Sequence, residues 1–299
     1  MTRHLLDVDD LTPTELERVL ELAVDPQPPP VLAAKGVALV LEKPSARTRN
    51  ATEMAVAQLG GHPVSLGRDE VGIDVRETAE DVARTLACYH AAICARVFHH
   101  AQLERMAAAV DDRGVHVVNL LSDRAHPCQA IADLLTLRAH HGRLEGLTVA
   151  YVGDWNNVAR SLGLALGLAG ASLRLGCPSG FDPSDADLDQ LAAAGAAPEL
   201  HHRPEDAVKG ADAVYTDVWT SMGQEGDAAA RRRAFEGWTV TPALMSRAAE
   251  GAAFLHCLPA HRGEEVDAAV LEGANSLVWS QATNRLYAAR GVLLWLLSS

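Results

Sequence analysis

Aromatic side chains are scarce, at 4% of the 299 residues, although 48% of the chain is hydrophobic. Cores built from Ala, Leu and Val suit a helix-rich α/β protein, and the length suits two domains better than one. Long apolar runs are missing too. None approaches the ~20 residues of a membrane span, so no membrane partner is expected. Positive charge is in deficit, with a net charge of -13. That excludes the overall attraction a nucleic acid would need, but not a small anion held by local arginines. The cysteines Cys88, Cys94, Cys128, Cys177 and Cys257 are odd in number and contain no Cys-x-x-Cys pair. Free thiols in a reducing compartment follow. Met1-Thr2-Arg3-His4 leads into an acidic helix signal rather than a targeting peptide, so the expected location is cytoplasmic. No repeat or low-complexity stretch stands out.

What is present is a regular alternation of strand and helix. Thr12-Pro13-Thr14-Glu15 opens a helix whose apolar face is Leu16, Val19, Leu20 and Ala23. Val37 to Leu41 reads as a buried strand, followed by a helix over Asn50 to Leu59. Gly67 to Arg76 is a Gly/Asp-rich loop, and a helix from about Thr78 to His90 follows it. Strands are expected at Ala91 to Val97 and Val115 to Asn119, with helices over Leu103 to Val110 and Pro127 to about His140. Further strands are expected at Leu147 to Val152, Ser172 to Leu175, Ala213 to Thr216, Phe254 to Cys257 and Ser276 to Trp279. Helices are expected at Val158 to Leu168, Ser184 to Ala194 and Asn284 to Leu297. This order implies an α/β fold of two domains, each a mainly parallel sheet flanked by helices. The composition break at His140-His141-Gly142-Arg143 marks the domain boundary.

Polar clusters follow the predicted strands, where open α/β sheets bind ligands. Ser45-Ala46-Arg47-Thr48-Arg49 joins a strand to a helix, where free backbone N–H groups and forked guanidiniums can cradle a phosphate. A capped helix start with solvated arginines is the plainer alternative. His126-Pro127-Cys128-Gln129 opens a helix and could hold a carbonyl oxygen and an amide, or could simply cap it. Gly153-Asp154-Trp155-Asn156-Asn157 occupies a dinucleotide position but lacks the Gly-x-Gly-x-x-Gly glycines, which disfavours a dehydrogenase. Its asparagines could hold a zwitterion's carboxylate or make an ordinary turn. Asp217-Val218-Trp219-Thr220-Ser221-Met222-Gly223 sets a carboxylate where an α-ammonium group could sit, unless it makes only an Asx turn. His256-Cys257-Leu258-Pro259 offers either a thiolate of lowered pKa or a buried structural cysteine, without metal partners at ligand spacing.

Together these segments resemble the aspartate/ornithine carbamoyltransferase family. Ser45 to Arg49 is similar to its S-T-R-T-R signature and His126 to Gln129 to H-P-x-Q. Asp217 with Ser221-Met222-Gly223 is similar to D-x-x-x-S-M-G, and His256 to Pro259 to H-C-L-P, with Asn284-Arg285 near the end. The resemblance runs through nearly the whole chain in order. It implies carbamoyl transfer from carbamoyl phosphate to the δ-amine of L-ornithine, giving citrulline and phosphate with no metal and no organic cofactor. Residues 1–140, with the C-terminal helix 284–299 packing back on them, would bind carbamoyl phosphate, and 141–283 would bind ornithine. Ser45, Ala46, Arg47, Thr48, Arg96, His126, Gln129, Cys257, Leu258 and Arg285 would form the carbamoyl-phosphate site. Asn157, Asp217, Ser221 and Met222 would place ornithine, while Arg96, His126 and Cys257 would be catalytic. The partner expected is a second copy of the chain, in a trimer or a dimer of trimers.

Departures from the family pattern are specific. Ala46 stands where the family usually has threonine, and Asn50-Ala51-Thr52-Glu53 replaces a more apolar stretch. Glu70 puts negative charge on a loop that reaches a neighbouring subunit's phosphate site in relatives, so either Arg68 or Arg76 makes that contact or the shared site differs. Another acceptor, such as lysine or putrescine, and a non-catalytic binding protein are the alternatives. Putrescine would leave Asp217 and Asn157 without a role.

Overall fold

The computed structural model describes residues 2–220 and 225–298. It divides into two units, Met1–Ala132 with Thr283–Ser299, and Asp133–Ala282. Both divisions fall inside helices, Pro127–His141 and Val278–Leu297.

The first unit holds β1 (Gly36–Leu41), β2 (His62–Gly67), β3 (His90–Arg96) and β4 (His116–Leu121), all parallel, in the order β2-β1-β3-β4. Strands β1, β3 and β4 are largely buried, so they read as unbroken apolar runs. Strand β2 is different. It sits at the edge, carries Pro63 and stays partly exposed, which explains why its sequence gives no strand signal. Helices Ala79–Leu86 and His100–Val110 pack Val82, Ala83, Leu103 and Met106 against Ala38, Val40, Ile93 and Ala95.

The C-terminal helix packs on the N-terminal helix Pro13–Ala23. A Cβ on Gly291 would stand 2.6 Å from the Val19 carbonyl oxygen and 2.8 Å from Ala23 Cβ, so only glycine permits this approach. Beside it, the nearly buried Arg290 donates to the carbonyls of Ala23 (2.5 Å) and Asp25 (2.9 Å) and to Gln58 Oε1 (3.0 Å). Its charge meets the negative end of the helix Pro13–Ala23 dipole, an interaction of about 0.3–1 kcal/mol when exposed and more when buried.

The second unit holds β5 (Thr148–Val152), β6 (Ser172–Gly176), β7 (Glu199–His201), β8 (Ala213–Thr216) and β9 (Ala253–His256). These are also parallel, in the order β7-β6-β5-β8-β9. Tyr151 and Tyr215 pair across β5 and β8 and stack at 5.7 Å, fully buried. Ser276 to Trp279 does not form the expected strand. Ser276 makes one bridge to Phe254, Leu277 N–H donates to the Phe254 carbonyl, and Val278 opens the long helix. Its apolar residues are there because Val278 is fully buried in the core, not because the segment belongs to the sheet.

In each sheet the chain runs out to one side and then returns to the other side of its first strand. The reversals fall between β1 and β3 and between β5 and β8. Diverging loops at the carboxyl ends of such strand pairs open a crevice. Gly291→Ala tests the packing behind the first sheet. The added methyl overpacks the Val19 contact at a cost of about 1–3 kcal/mol, lowering Tm by roughly 2–4 °C per kcal/mol. An unchanged Tm in scanning calorimetry would show that the two helices lie farther apart.

Candidate active site

In the first unit, β1 ends in a turn that stops at Ser45, the N-cap of helix Ala46–Gln58. Ser45 Oγ accepts from Thr48 N–H at 3.4 Å and donates to Thr48 Oγ1 at 3.1 Å. The helix therefore begins with N–H groups facing the carboxyl end of the sheet, the usual setting for an anion. Ala46, the first helical residue, is exposed there, with no hydroxyl to offer.

Arg285, nearly buried on the C-terminal helix, donates from Nη2 to Thr48 Oγ1 (2.8 Å) and from Nη1 to Gln129 Oε1 (2.9 Å). Two donors now point at Thr48 Oγ1, so its own hydrogen is left to donate. His126 is buried just ahead of helix Pro127–His141. Burial, together with the charges of Arg285, Arg96 and Arg47, holds its pKa well below the usual imidazole value. His126 is thus a neutral ring able to donate one N–H. The cysteine between His126 and Gln129 is a different matter: burial pushes the Cys128 thiol up to about 12, and it serves as filler. The expected residues Ser45, Arg47, Thr48, Arg96, His126, Gln129 and Arg285 thus gather in one unit.

Glu42 was missed from the sequence. Its backbone N–H donates to the Arg96 carbonyl at 3.0 Å, and its buried carboxylate accepts Phe98 N–H at 2.8 Å. It brackets Arg96 and holds the ends of β1 and β3 together. A single glutamate after an apolar run carries no signal of that.

In the second unit, Asn156 caps helix Asn157–Leu168 through Oδ1, which accepts Val158 N–H (2.9 Å) and Ala159 N–H (3.0 Å). Its Nδ2 donates to Asp217 Oδ2 at 3.0 Å, and the Cys257 thiol donates to Asp217 Oδ1 at 3.0 Å. Asp217, after β8, thus joins the loops after β5 and β9. Asn156, not only the expected Asn157, belongs to this cluster; Asn157 begins the helix. The 3.0 Å contact suits a thiol donating to Asp217, whereas a thiolate, the other expectation, would set two negative charges side by side. Ser221 and Met222 lie outside the described residues.

Asp154 pairs with Arg231, whose Nε also donates to the Trp219 carbonyl and whose guanidinium lies over Phe181 at 5.0 Å. Burial raises Asp154 to about 6, outweighing the opposing pull of Arg231. After β9, Leu258 adopts φ +61°, a left-handed conformation costing about 1–2 kcal/mol for a branched side chain. His256 Nδ1 accepts Leu258 N–H at 2.8 Å, so Nε2 carries the ring hydrogen toward the buried Glu265 carboxylate at 3.1 Å. Asp217, His256 and Cys257 each offer one ligand atom within 4.8 Å of the others, a set that sequence spacing does not reveal. An ion there would have to displace the bonds just described.

Comparison with known proteins places this geometry. Residues 3–139 match the aspartate/ornithine carbamoyltransferase carbamoyl-P binding domain, and 145–296 match the Asp/Orn binding domain of the same family. Ornithine carbamoyltransferase of Acidothermus cellulolyticus is 47% identical over 100% of this chain and 98% of its own length. The Thermus thermophilus ornithine carbamoyltransferase structure superposes with a TM-score of 0.90 at 43% identity, covering 99% of both chains. That of Pyrococcus furiosus gives a TM-score of 0.91 at 42% identity over 97% of this chain and 96% of that one. With both family domains matched in order and close relatives over its full length, this chain belongs to the aspartate/ornithine carbamoyltransferase family.

Proposed function

We propose that this protein transfers the carbamoyl group of carbamoyl phosphate to the δ-amine of L-ornithine, forming L-citrulline and phosphate in arginine biosynthesis. The observation that carries the proposal is the gathering of Arg47, Arg96 and Arg285 around a neutral His126, beside a helix N-terminus. Three like charges repel one another, and a bound dianion would relieve that repulsion. Residues 1–140 and 284–299 take carbamoyl phosphate, and 141–283 take ornithine. The protein works in the cytoplasm, where its free cysteines stay reduced.

Ser45, Arg47, the N–H groups at the start of helix Ala46–Gln58, and Arg285 hold the phosphate. Arg96, the Thr48 hydroxyl and His126 donate to the carbamoyl oxygen, and Gln129 orients the carbamoyl NH2. As the amine attacks, charge grows on that oxygen and then passes to the departing phosphate. Fixed donors at both atoms stabilise the transition state more than the ground state, each typically contributing 10²–10³ in rate on the order of oxyanion-hole donors. Asp217, backed by Asn156, faces the α-ammonium group, while Asn157, Ser221 and Met222 complete the ornithine site and Cys257 lies against the δ-amine. An alkylammonium titrates near ~10 in water, so a proton must leave before attack. The Cys257 thiol already donates to Asp217 Oδ1, so a phosphate oxygen of bound carbamoyl phosphate takes that proton before attack. The departing phosphate takes the second proton, which the amine sheds as the new C–N bond forms.

Citrulline formation from the two substrates tests the reading, and two variants divide it. Arg47→Ala should raise KM for carbamoyl phosphate about tenfold or more, the loss of a charged hydrogen bond, with KM for ornithine little changed. Asp217→Asn should do the reverse. No citrulline from the wild-type protein would refute the function.

Ala46→Thr restores a hydroxyl at the exposed first helical position and should lower KM for carbamoyl phosphate; an unchanged or higher value refutes the assignment. The lowered pKa of His126 has a definite sign: the ring is neutral through neutral pH and gains a proton only in acid. His126→Gln should therefore reduce kcat while leaving any acid limb of the kcat/KM profile near 6.5 in place. Loss of such a limb in the variant would contradict a neutral donor.

Trimers are the proposed assembly, built with the loop from Gly67 to Arg76. Arg76 donates inward to the Asp69 and Glu70 carbonyls at 3.3 and 3.1 Å, while Arg68 lies over Phe98 at 5.5 Å. Light scattering should give three chains, and an active monomer would exclude a shared site.

A further inference from the structure

Behind the Cys257 turn lies a buried polar group that the reaction leaves unassigned. Gln281 is almost fully buried, and its carboxamide makes three hydrogen bonds. Its Nε2 donates to Asp133 Oδ1 at 2.7 Å and to the Tyr215 hydroxyl at 3.0 Å. Its Oε1 accepts the backbone N–H of His256 at 2.9 Å. Asp133 and Tyr215 are fully buried as well, and His256 nearly so.

The partners leave the amide one orientation. Asp133 Oδ1 accepts from the amide, so the NH2 faces it; the His256 N–H only donates, so the oxygen must face that side. Turning the amide over would oppose oxygen to carboxylate and NH2 to N–H. A glutamine held this way passes the position of a buried carboxylate to one backbone amide, that of the residue before Cys257. The Cys257 thiol in turn reaches Asp217 at 3.0 Å. Tyr215, which bonds the same amide, lies two residues before Asp217 on the end of β8. Both sides of the Cys257–Asp217 bond thus trace back to Gln281. Burying a charge at Asp133 is costly unless a strong polar partner answers it. An apolar pair would fill the same space at less cost but would hold no backbone in place.

We propose that Gln281, anchored by Asp133, is a positioning residue that sets the His256-Cys257 backbone so that the Cys257 thiol meets Asp217. The kinetic part of this inference rests on the proposed ornithine site; the structural part does not. Gln281→Met keeps the volume and removes all three bonds, Tyr215→Phe removes one, and Asp133→Asn keeps an acceptor for Nε2.

The test is the alkylation rate of Cys257 by iodoacetamide in a Cys88→Ser background, where the other three cysteines are buried. Gln281→Met should change that rate, and raise KM for ornithine, by about fivefold or more, the equivalent of one or two buried hydrogen bonds. KM for carbamoyl phosphate should stay within about twofold, and Asp133→Asn should remain close to wild type, because the acceptor that holds the amide survives. Tyr215→Phe should shift the rate in the same direction as Gln281→Met by less, which keeps the inference testable if Gln281→Met does not fold. A folded Gln281→Met with a lower Tm but an unchanged alkylation rate would make Gln281 merely structural, as would a Tyr215→Phe rate equal to wild type. Should the wild-type protein make no citrulline, the proposed function fails while the alkylation rates still decide this inference.

Discussion

Three guanidinium groups within charge range of one buried imidazole form the constraint on which the first unit depends. Each arrives by a different route. Arg47 is carried by the helix after β1, Arg96 ends β3, and Arg285 comes from the C-terminal helix. The parallel sheet reverses direction between β1 and β3, which brings the first two to one rim. The third depends on the close helix contact at Gly291 and the Arg290 bonds to the helix Pro13–Ala23 terminus. Much of the packing behind the sheet therefore serves to deliver positive charge to one place.

The second unit solves the opposite problem. Asp217 is almost buried, and its two carboxylate oxygens accept from the Asn156 amide and the Cys257 thiol. Asp154 close by carries its own arginine, and burial still raises it to about 6. With Asp154 matched by Arg231, Asp217 is the acidic group left to face a ligand, which suits an amino acid's ammonium group. The left-handed Leu258 and the His256–Glu265 pair fix the turn that presents Cys257.

Much of this was legible in the sequence because parallel strands buried on both faces leave unbroken apolar runs, and polar loops follow their carboxyl ends. The Ser45 to Arg49 turn, His126, Asp217 and Cys257 stood out for that reason. Strand β2 did not, since an edge strand carrying a proline lacks the pattern. Ser276 to Trp279 misled, because a residue buried at a helix start looks like one buried in a strand. Glu42 and Gln281 were invisible for another reason. Their partners are backbone amides or side chains many residues away, and no local spacing records such bonds.

The acceptor is the point on which the chemistry turns, and a panel of amines tests it directly. Ornithine, lysine, putrescine and N-acetylornithine should each be offered with carbamoyl phosphate, and kcat/KM compared. An anion placed for a free α-ammonium group predicts that ornithine leads, with putrescine and N-acetylornithine far behind because neither presents that group beside a carboxylate. Equal or faster carbamoylation of putrescine or N-acetylornithine would contradict the role of Asp217 and the function drawn from it.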